Sequence, residues 1–369
     1  MTHPLLQSQN IFLKYSVPEI LDRLGQLVTE DYVSCRPHPN YPQLRIFNYT
    51  DKCTYDKHWN ELTLSARGLV FDIDSKRLVA LPFPKIFNFS ELGPIDLKSL
   101  PPVDSVVEKM DGSLGIVFFY DEVWNVATRG SFESEQARWA TQRLREAIDQ
   151  GLILEQNYTY LVEIIYEANR VVLHYPQEQL CLLSAFSLIT FEEVPLIQYA
   201  KPFEDFALFT RPITYPFTSI QNMETLIKSL KDKEGVVVRF QDGTRIKFKT
   251  EEYCVLHRIK FGLTPLAVWE AMVEGTIEAY AVQVPEEFRT LFNSIHSTLQ
   301  MYADTIRQDA CMWLLTDNKN LLSRKELASE LEKSKYPYRN IVWMLYDQKS
   351  NKEIDQSILK IIRPDGNIL

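Results

Sequence analysis

The sequence predicts an α+β architecture: an antiparallel-sheet domain over residues 1–260, followed by an all-helical domain over 261–369. Three observations carry this reading. From about Tyr32 to Phe248, short β-favouring runs are separated by turns rich in Asp, Ser and Gly. After Lys249 that texture gives way to apolar residues at helical spacing, as in Phe288, Leu291, Phe292, Ile295 and Leu299. Between the two, Thr264-Pro265 places a capping residue before a proline at the first helical position.

The elements follow in order. Ser16-Val-Pro-Glu19 is a capping box with proline in the first turn, which predicts a helix over Val17–Val28. Leu69–Ile73 and Arg77–Leu81 flank Asp74-Ser75-Lys76 as a hairpin, and Gly115–Tyr120 and Val123–Thr128 flank Asp121-Glu122 as another. Ser134–Gln150 reads as a helix. Tyr160–Ile165 and Leu182–Phe191 return to strand character, with His174 read as a hydrogen-bonded strand histidine. Gly235–Phe240 and Thr244–Phe248 close the region as a hairpin around Gln241-Asp242-Gly243. Beyond the boundary, Pro285–Arg307 reads as a helix, Ser323-Arg-Lys-Glu326 as a second capping box, and Ile341–Leu345 and Ile354–Ile362 as short helices. Trp269, Phe288, Phe292 and Trp343 are expected in helical core, and Arg324 and Lys325 on a solvated face.

Composition narrows the class. The hydrophobic share of 45% is that of an ordinary globular protein. No apolar run approaches the ~20 residues that a membrane-crossing helix needs, and no secretory signal is visible at the N-terminus. The five cysteines are scattered and show no metal-ligand spacing, so reduced thiols in a cytoplasmic setting are expected. A net charge of −9, from 40 Lys+Arg against 49 Asp+Glu, argues against a protein coated for non-specific nucleic-acid binding. A local basic channel remains compatible with it.

Residues 105–115 read S-V-V-E-K-M-D-G-S-L-G, and this stretch poses the chemical question. The pattern K-x-D-G occurs by chance in roughly one chain in twenty of this length, so alone it could be a hairpin shoulder with a solvated lysine. Its company changes the balance. Ala66-Arg-Gly-Leu-Val-Phe71, Leu161-Val-Glu-Ile164, Lys233-Glu-Gly-Val-Val237 and Arg245-Ile-Lys-Phe-Lys249 each put charge inside an otherwise apolar strand. A charge there costs free energy unless it is paired or engages a ligand. Lys247 and Lys249, two apart, also fit a solvated strand face; five such strands together favour convergence on a phosphorylated ligand.

At these motifs the chain resembles the covalent nucleotidyltransferases, which comprise RNA ligases, DNA ligases and mRNA capping enzymes. Ala66–Phe71, Pro84-Lys-Ile-Phe-Asn88 and Thr128-Arg-Gly-Ser131 make it most similar to the RNA ligase 1 family of T-even phages, over roughly residues 40–255. The resemblance implies an antiparallel nucleotidyltransferase domain and an ATP-dependent RNA ligase that joins 3′-OH and 5′-phosphate ends through a lysine–adenylate and an adenylated RNA. It implies Lys109 as nucleophile, with Lys247 and Lys249 gripping phosphate. Arg67, Lys85, Phe87, Glu108, Asp111, Gly112, Arg129, Glu163 and Tyr49 would bind nucleotide. Glu163 and Glu234 would serve a metal ion, Mg²⁺ with Mn²⁺ able to replace it. The attacking amine must be neutral, and nearby cations would lower its pKa from about 10.4. Gly112 would let backbone approach the nucleotide. Arg129 stands where a lysine is expected, which keeps the charge but changes point-charge geometry into a rigid fork.

Two rivals remain. DNA ligases and capping enzymes follow the last lysine motif with a five-stranded barrel, whereas here helices are expected. A non-catalytic RNA-binding relative should have lost one of Lys109, Glu163, Glu234, Lys247 or Lys249, and all five are present. No G-x-x-x-x-G-K-[ST] phosphate loop occurs, so damaged ends, as in tRNA repair, would need a separate kinase–phosphatase partner. The setting implied is cytoplasmic, in a cell or in the host of a phage, without membrane attachment.

Overall fold

The computed structural model describes residues 10–94, 99–216, 220–284 and 288–364. The chain divides into two compact units, residues 1–257 and 258–369.

Three sheets build the first unit. One runs β1 (Val33–Pro37), β2 (Leu44–Tyr49), β3 (Arg67–Asp72) and β4 (Arg77–Ala80), all antiparallel. The other strands are β5 (Phe87–Asn88), β6 (Val103–Lys109), β7 (Ser113–Tyr120), β8 (Val123–Ala127), β9 (Tyr158–Ile165), β10 (Gln179–Ser187), β11 (Phe209–Thr210), β12 (Gly235–Phe240) and β13 (Arg245–Lys249). They form a sheet ordered β11-β10-β9-β7-β8 and another ordered β5-β13-β12-β6. Two short pairs, β10·β11 and β13·β5, are parallel and depart from the expected antiparallel pattern.

The predicted hairpins form at β3/β4, β7/β8 and β12/β13. In β7/β8 both turn residues, Asp121 and Glu122, adopt positive φ without glycine. In β12/β13 Gly243 takes the left-handed position. The helix Val17–Thr29 carries the Ser16/Glu19 capping box and buries Ile20, Leu24 and Leu27 at helical spacing. The helix Glu135–Asp149 is capped by Ser134.

Several expectations shift. The second of the two middle strands runs Gln179–Ser187 rather than Leu182–Phe191, because the chain turns at Ser187, where Phe191 has positive φ. His174 lies outside any strand, with an exposed side chain 3.3 Å from Glu167, so the strand reading of it is corrected. Short helices at Asp51–Tyr55 and Glu61–Ser65, capped by Thr50 and Asn60, interrupt the strand-rich stretch.

In the second unit every described regular element is a helix or helical turn. The helix Arg289–Leu315 buries Phe292, Ile295, Leu299, Ile306, Ala310 and Leu314, and serves two apolar clusters. The predicted start of this helix at Pro285 lies outside the described residues. Capping boxes open the helices Arg324–Ser334 and Asn351–Ile361. Trp269 packs beside this core and donates Nε1–H to the Leu359 carbonyl at 2.7 Å.

Candidate active site

Lys109 ends β6, and the next strand does not fold back on it. β6 pairs with β12, whereas β7 pairs with β8 and β9. The turn Met110-Asp111-Gly112 therefore crosses from one sheet to the other, and a simple hairpin shoulder is excluded. Gly112 fits this crossing tightly: an added Cβ would stand 2.6 Å from the Ile164 carbonyl oxygen and 3.1 Å from Glu163 Cγ. The glycine thus lets β7 approach β9, a constraint internal to the protein.

Register then assembles the lysines. Gly235 of β12 lies opposite Lys109 on one side and Lys249 on the other, and Val237 lies opposite Lys247. Alternation along β13 sends Lys247 and Lys249 to the same face. Gly235 has φ +153, and a Cβ there would fall 1.9 Å from the Phe248 carbonyl oxygen. Glu234, one residue earlier and only 2% exposed, turns its carboxylate between the two lysines. Lys109 Nζ donates to Glu234 Oε2 at 2.7 Å, and Lys249 Nζ stands 3.0 Å from Oε1.

The electrostatics follow from this crowding. Burial alone would raise the Glu234 pKa, but Lys109 and Lys249 hold it below the usual carboxylate value. Burial, reinforced by Lys109 and Lys249, lowers Lys247 to about 7. Burial, with Glu234 and Asp111 adding and Lys109 and Arg67 opposing, pushes Glu163 up to about 7. A cleft of about 880 Å³ runs between the two sheets, and Arg67, Lys109, Gly112, Glu163 and Lys247 are among its walls.

The remaining expected residues fall into two groups. Lys85, 7% exposed, lies among aromatic rings, its Nζ 4.5 Å from the Phe87 centroid, 4.8 Å from Trp59 and 5.5 Å from Tyr49. Arg129 donates to the Tyr49 hydroxyl at 3.1 Å. Lys85, Phe87, Tyr49 and Arg129 thus form one neighbourhood, although Tyr49 and Phe87 are themselves buried. Glu108 and Asp111 have partners inside the protein. Glu108 shares its face of β6 with Val106, opposite to Lys109, and accepts from Lys233 Nζ at 2.7 Å. Asp111 accepts from the amides of Val172 and Leu173 and from the Tyr253 hydroxyl. Both therefore have partners within the fold, and Glu108 also lines the cleft that holds Lys109 and Glu163.

Sequence reasoning missed Trp59 and Tyr253, and named Lys233 among the charged strands without its partner Glu108. For Tyr253 a signal existed: Thr250-Glu-Glu252 is a capping residue followed by an acidic first turn, and a helix does run Glu251–Phe261.

Comparison with known proteins gives the family. A sequence model of a family described as RNA ligase matches residues 65–253, just over half of the chain. The RNA ligase of Rhodothermus phage RM378 is 22% identical over 388 aligned positions, covering 82% of this chain and 86% of that protein. A putative bifunctional polynucleotide kinase/RNA ligase of Autographa californica nuclear polyhedrosis virus is 23% identical over 71% of this chain, and only 41% of that protein is matched. Among solved structures, an archaeal ATP-dependent RNA ligase has a TM-score of 0.48 at 14% identity, covering 78% of this chain and 79% of that one. The family match spans Arg67, Lys109, Glu163, Glu234, Lys247 and Lys249 together, and the chain belongs to the RNA ligase family.

Proposed function

We propose that this chain joins RNA 3′-OH and 5′-phosphate ends by ATP-dependent ligation through a covalent adenylate on Lys109. The observation that carries the proposal is the shared carboxylate: Lys109 and Lys249 meet on Glu234 from opposite sides of Gly235, with Lys247 on the same face. A fold does not need two amines on one carboxylate with a third on the same face, but a triphosphate does offer them partners.

In the first step, neutral Lys109 Nζ attacks the α-phosphorus of ATP. The N–P bond forms, the bond to the bridging oxygen breaks, pyrophosphate leaves, and the amine proton passes to solvent. Lys247 and Lys249 stabilise the charge gathering on the departing phosphates. In the second step a 5′-phosphate oxygen of RNA takes the AMP, which cleaves the N–P bond and returns a proton to Lys109. In the third, the 3′-hydroxyl oxygen attacks the activated 5′-phosphorus and AMP leaves.

Arg67 lines the same cleft and is assigned to the nucleotide or RNA terminus. Arg129 and Lys85 are assigned to phosphate. Glu163 and Glu234 would hold the divalent ion, Mg²⁺ or Mn²⁺, and the donor set fits: mutual repulsion with Glu234 helps raise Glu163, which a cation would relieve. When bound, the ion adds positive charge beside the phosphates.

We assign the units as a nucleotidyltransferase domain over 1–260 and a helical domain over 261–369 that selects RNA. The biological role proposed is repair of cleaved RNA such as tRNA in the cytoplasm, of a cell or of a phage-infected host. A polynucleotide kinase–phosphatase is the expected partner; the relative named a kinase/RNA ligase supports the pairing. No described helix is long and apolar enough to cross a membrane.

The test is incubation with α-labelled ATP and Mg²⁺, followed by denaturing electrophoresis. The wild-type chain should retain label and Lys109→Ala should not. Label on the Lys109→Ala protein would refute the nucleophile, and equal labelling by GTP would move the protein toward capping chemistry.

A further inference from the structure

We infer that Trp59 is a positioning residue for the first chemical step, holding the Lys85 ammonium where pyrophosphate departs. The inference rests on the proposed reading of Lys109 as nucleophile and of Lys85 as a phosphate ligand.

Sheet order gives the direction of departure. The strands run β6, β12, β13, β5, at about 4.8 Å between neighbours. Lys109 ends β6, Lys247 and Lys249 lie on β13 two strands away, and Asn88 of β5 stands opposite Lys247. Displacement at phosphorus runs roughly in line, so the leaving group lies opposite the attacking amine. Pyrophosphate displaced by Lys109 therefore moves across β13 toward β5. Lys85 comes two residues before β5 and supplies an amine at that edge of the sheet. Its charge reaches the cluster, because Lys85 is among the groups that disfavour the protonated form of Lys247.

The surroundings of Lys85 keep its charge available. An ammonium whose side chain is 2% exposed needs compensation. Glu91 stands 4.0 Å from Nζ, and the rings of Phe87, Trp59 and Tyr49 stand around it at 4.5, 4.8 and 5.5 Å. An aromatic face attracts an ammonium without supplying a full counter-charge, so it competes with a phosphate less than a second carboxylate would. Tyr49 and Phe87 are buried members of strands β2 and β5. Trp59 is half-buried and comes from the connection between the helices Asp51–Tyr55 and Glu61–Ser65. That connection is tied down on both sides of it. His58 stacks on Tyr32, with centroids 3.9 Å apart and planes at 3°, and its carbonyl accepts from the Thr63 hydroxyl at 2.9 Å. Asn60 accepts from the Leu62 and Thr63 amides. The indole then meets Tyr49 and Phe87 edge-on, at 86° and 88°. The Lys85 amide donates to the Leu64 carbonyl at 2.8 Å, so the helix after Trp59 also carries the backbone of the lysine. Indole is the best of the aromatic rings for a cation. Without it the ammonium loses one wall and its fixed direction toward β13.

The β- and γ-phosphates take part in the first step alone. A residue that acts on them slows AMP transfer from ATP and spares the joining of RNA that already carries AMP.

The experiment uses full-length protein and measures two rates: AMP transfer from ATP, and joining of a pre-adenylated RNA strand to a 3′-OH strand without ATP. Wild type, Lys109→Ala and Lys85→Ala are run alongside, and melting curves report the fold. Trp59→Leu should slow AMP transfer about ten-fold or more and leave joining within about two-fold. Trp59→Phe, which keeps a smaller ring, should recover most of the loss. Added to Lys85→Ala, Trp59→Leu should cost little more, because both changes remove one interaction. The inference is overturned if Trp59→Leu transfers AMP at the wild-type rate, if it slows both reactions alike, or if its effect adds in full to that of Lys85→Ala. Should Trp59→Leu lack a melting transition above assay temperature, Trp59→Phe decides by the same comparison: a fall of about three-fold in AMP transfer alone supports the inference, and any other result overturns it. Wild-type transfer by Lys85→Ala would instead refute the phosphate role of Lys85, and label on Lys109→Ala the assignment of the nucleophile.

Discussion

The two units spend their charged residues differently. Every buried charged side chain described, Asp72, Lys85, Glu108, Asp111 and Glu234, lies in the first unit. The second unit buries apolar side chains along helix seams and leaves its ions at the surface: Arg324, with a 66% exposed side chain, pairs with Asp347 and stands over Trp343. A helical seam of Ile, Leu, Phe and Val holds itself together by burial. A lysine cluster inside a sheet domain opposes folding unless each charge is paired, and even then replacement by apolar groups is often neutral or stabilising. The contrast locates the chemistry, because such a cluster is retained where it acts on something.

The largest effect that tests this contrast is loss of a lysine. Lys249→Ala leaves Glu234 with one cation, and Lys247→Ala removes an amine that feels both Lys109 and Lys249. Each should lower the initial rate of AMP transfer by about a hundred-fold or more while the chain stays folded. On a surface-face reading neither change would move stability by more than about 0.5 kcal/mol or alter activity. Wild-type transfer by both variants would mean that these half-buried lysines serve the sheet rather than a substrate.

Much of this was legible before the fold was known, for a physical reason. Lys109, Glu163, Glu234, Lys247 and Lys249 each set a charge within or at the end of an apolar strand, and a placement of that kind shows locally. So did the hairpins around Asp121-Glu122 and Asp242-Gly243, whose turn residues announce themselves. What did not show was pairing over distance. Lys109 and Glu234 are 125 positions apart, as are Glu108 and Lys233, and nothing in either segment names the other. Glu108 is expected at the nucleotide from the resemblance alone, and its pairing with Lys233 shows only in the fold. The sheet change between β6 and β7 was equally hidden, since a turn between strands looks the same whether or not the strands pair. Gly112 is expected to give a nucleotide room, and the fold adds a second demand on it, the close approach of the Ile164 carbonyl.

A smaller effect concerns the second unit. If charge buried in the first unit performs the chemistry, a chain ending after Phe261 should still form the adenylate, within a few-fold of the full chain. It keeps Tyr253 and every site residue named above. Its choice of RNA should change, because an acidic protein gains RNA affinity from shape and a few phosphate contacts rather than overall charge. The measurement compares joining of a linear single strand with joining of a nicked stem-loop by both chains, at matched adenylation. An unchanged ratio would reduce the helices to packing and end their role in substrate choice.

The smallest effect is one of stability, and it should run opposite to activity. Burial, with Lys109, Lys249 and Lys85 adding and Glu91 opposing, depresses Lys247 from 10.5 to about 7 in the folded chain. The unfolded chain keeps its proton up to the ordinary lysine value. Below about pH 7 both states are charged and the folded one bears the full burden of the buried ammonium; that burden is relieved as pH rises from about 7 toward 10.5. Lys247→Met removes the charge while preserving most of the side-chain volume. It should therefore raise the melting temperature above wild type, by about 2–4 °C for each kcal/mol of relief. The gain should be larger at about pH 6 than at about pH 9, because at the higher pH the folded wild type has already released the proton. Comparing variant and wild type at each pH cancels, to first order, groups that titrate alike in both. A variant that melts lower than wild type at both pH values would show that Lys247 supports the sheet, and would remove the sharpest difference between the two units.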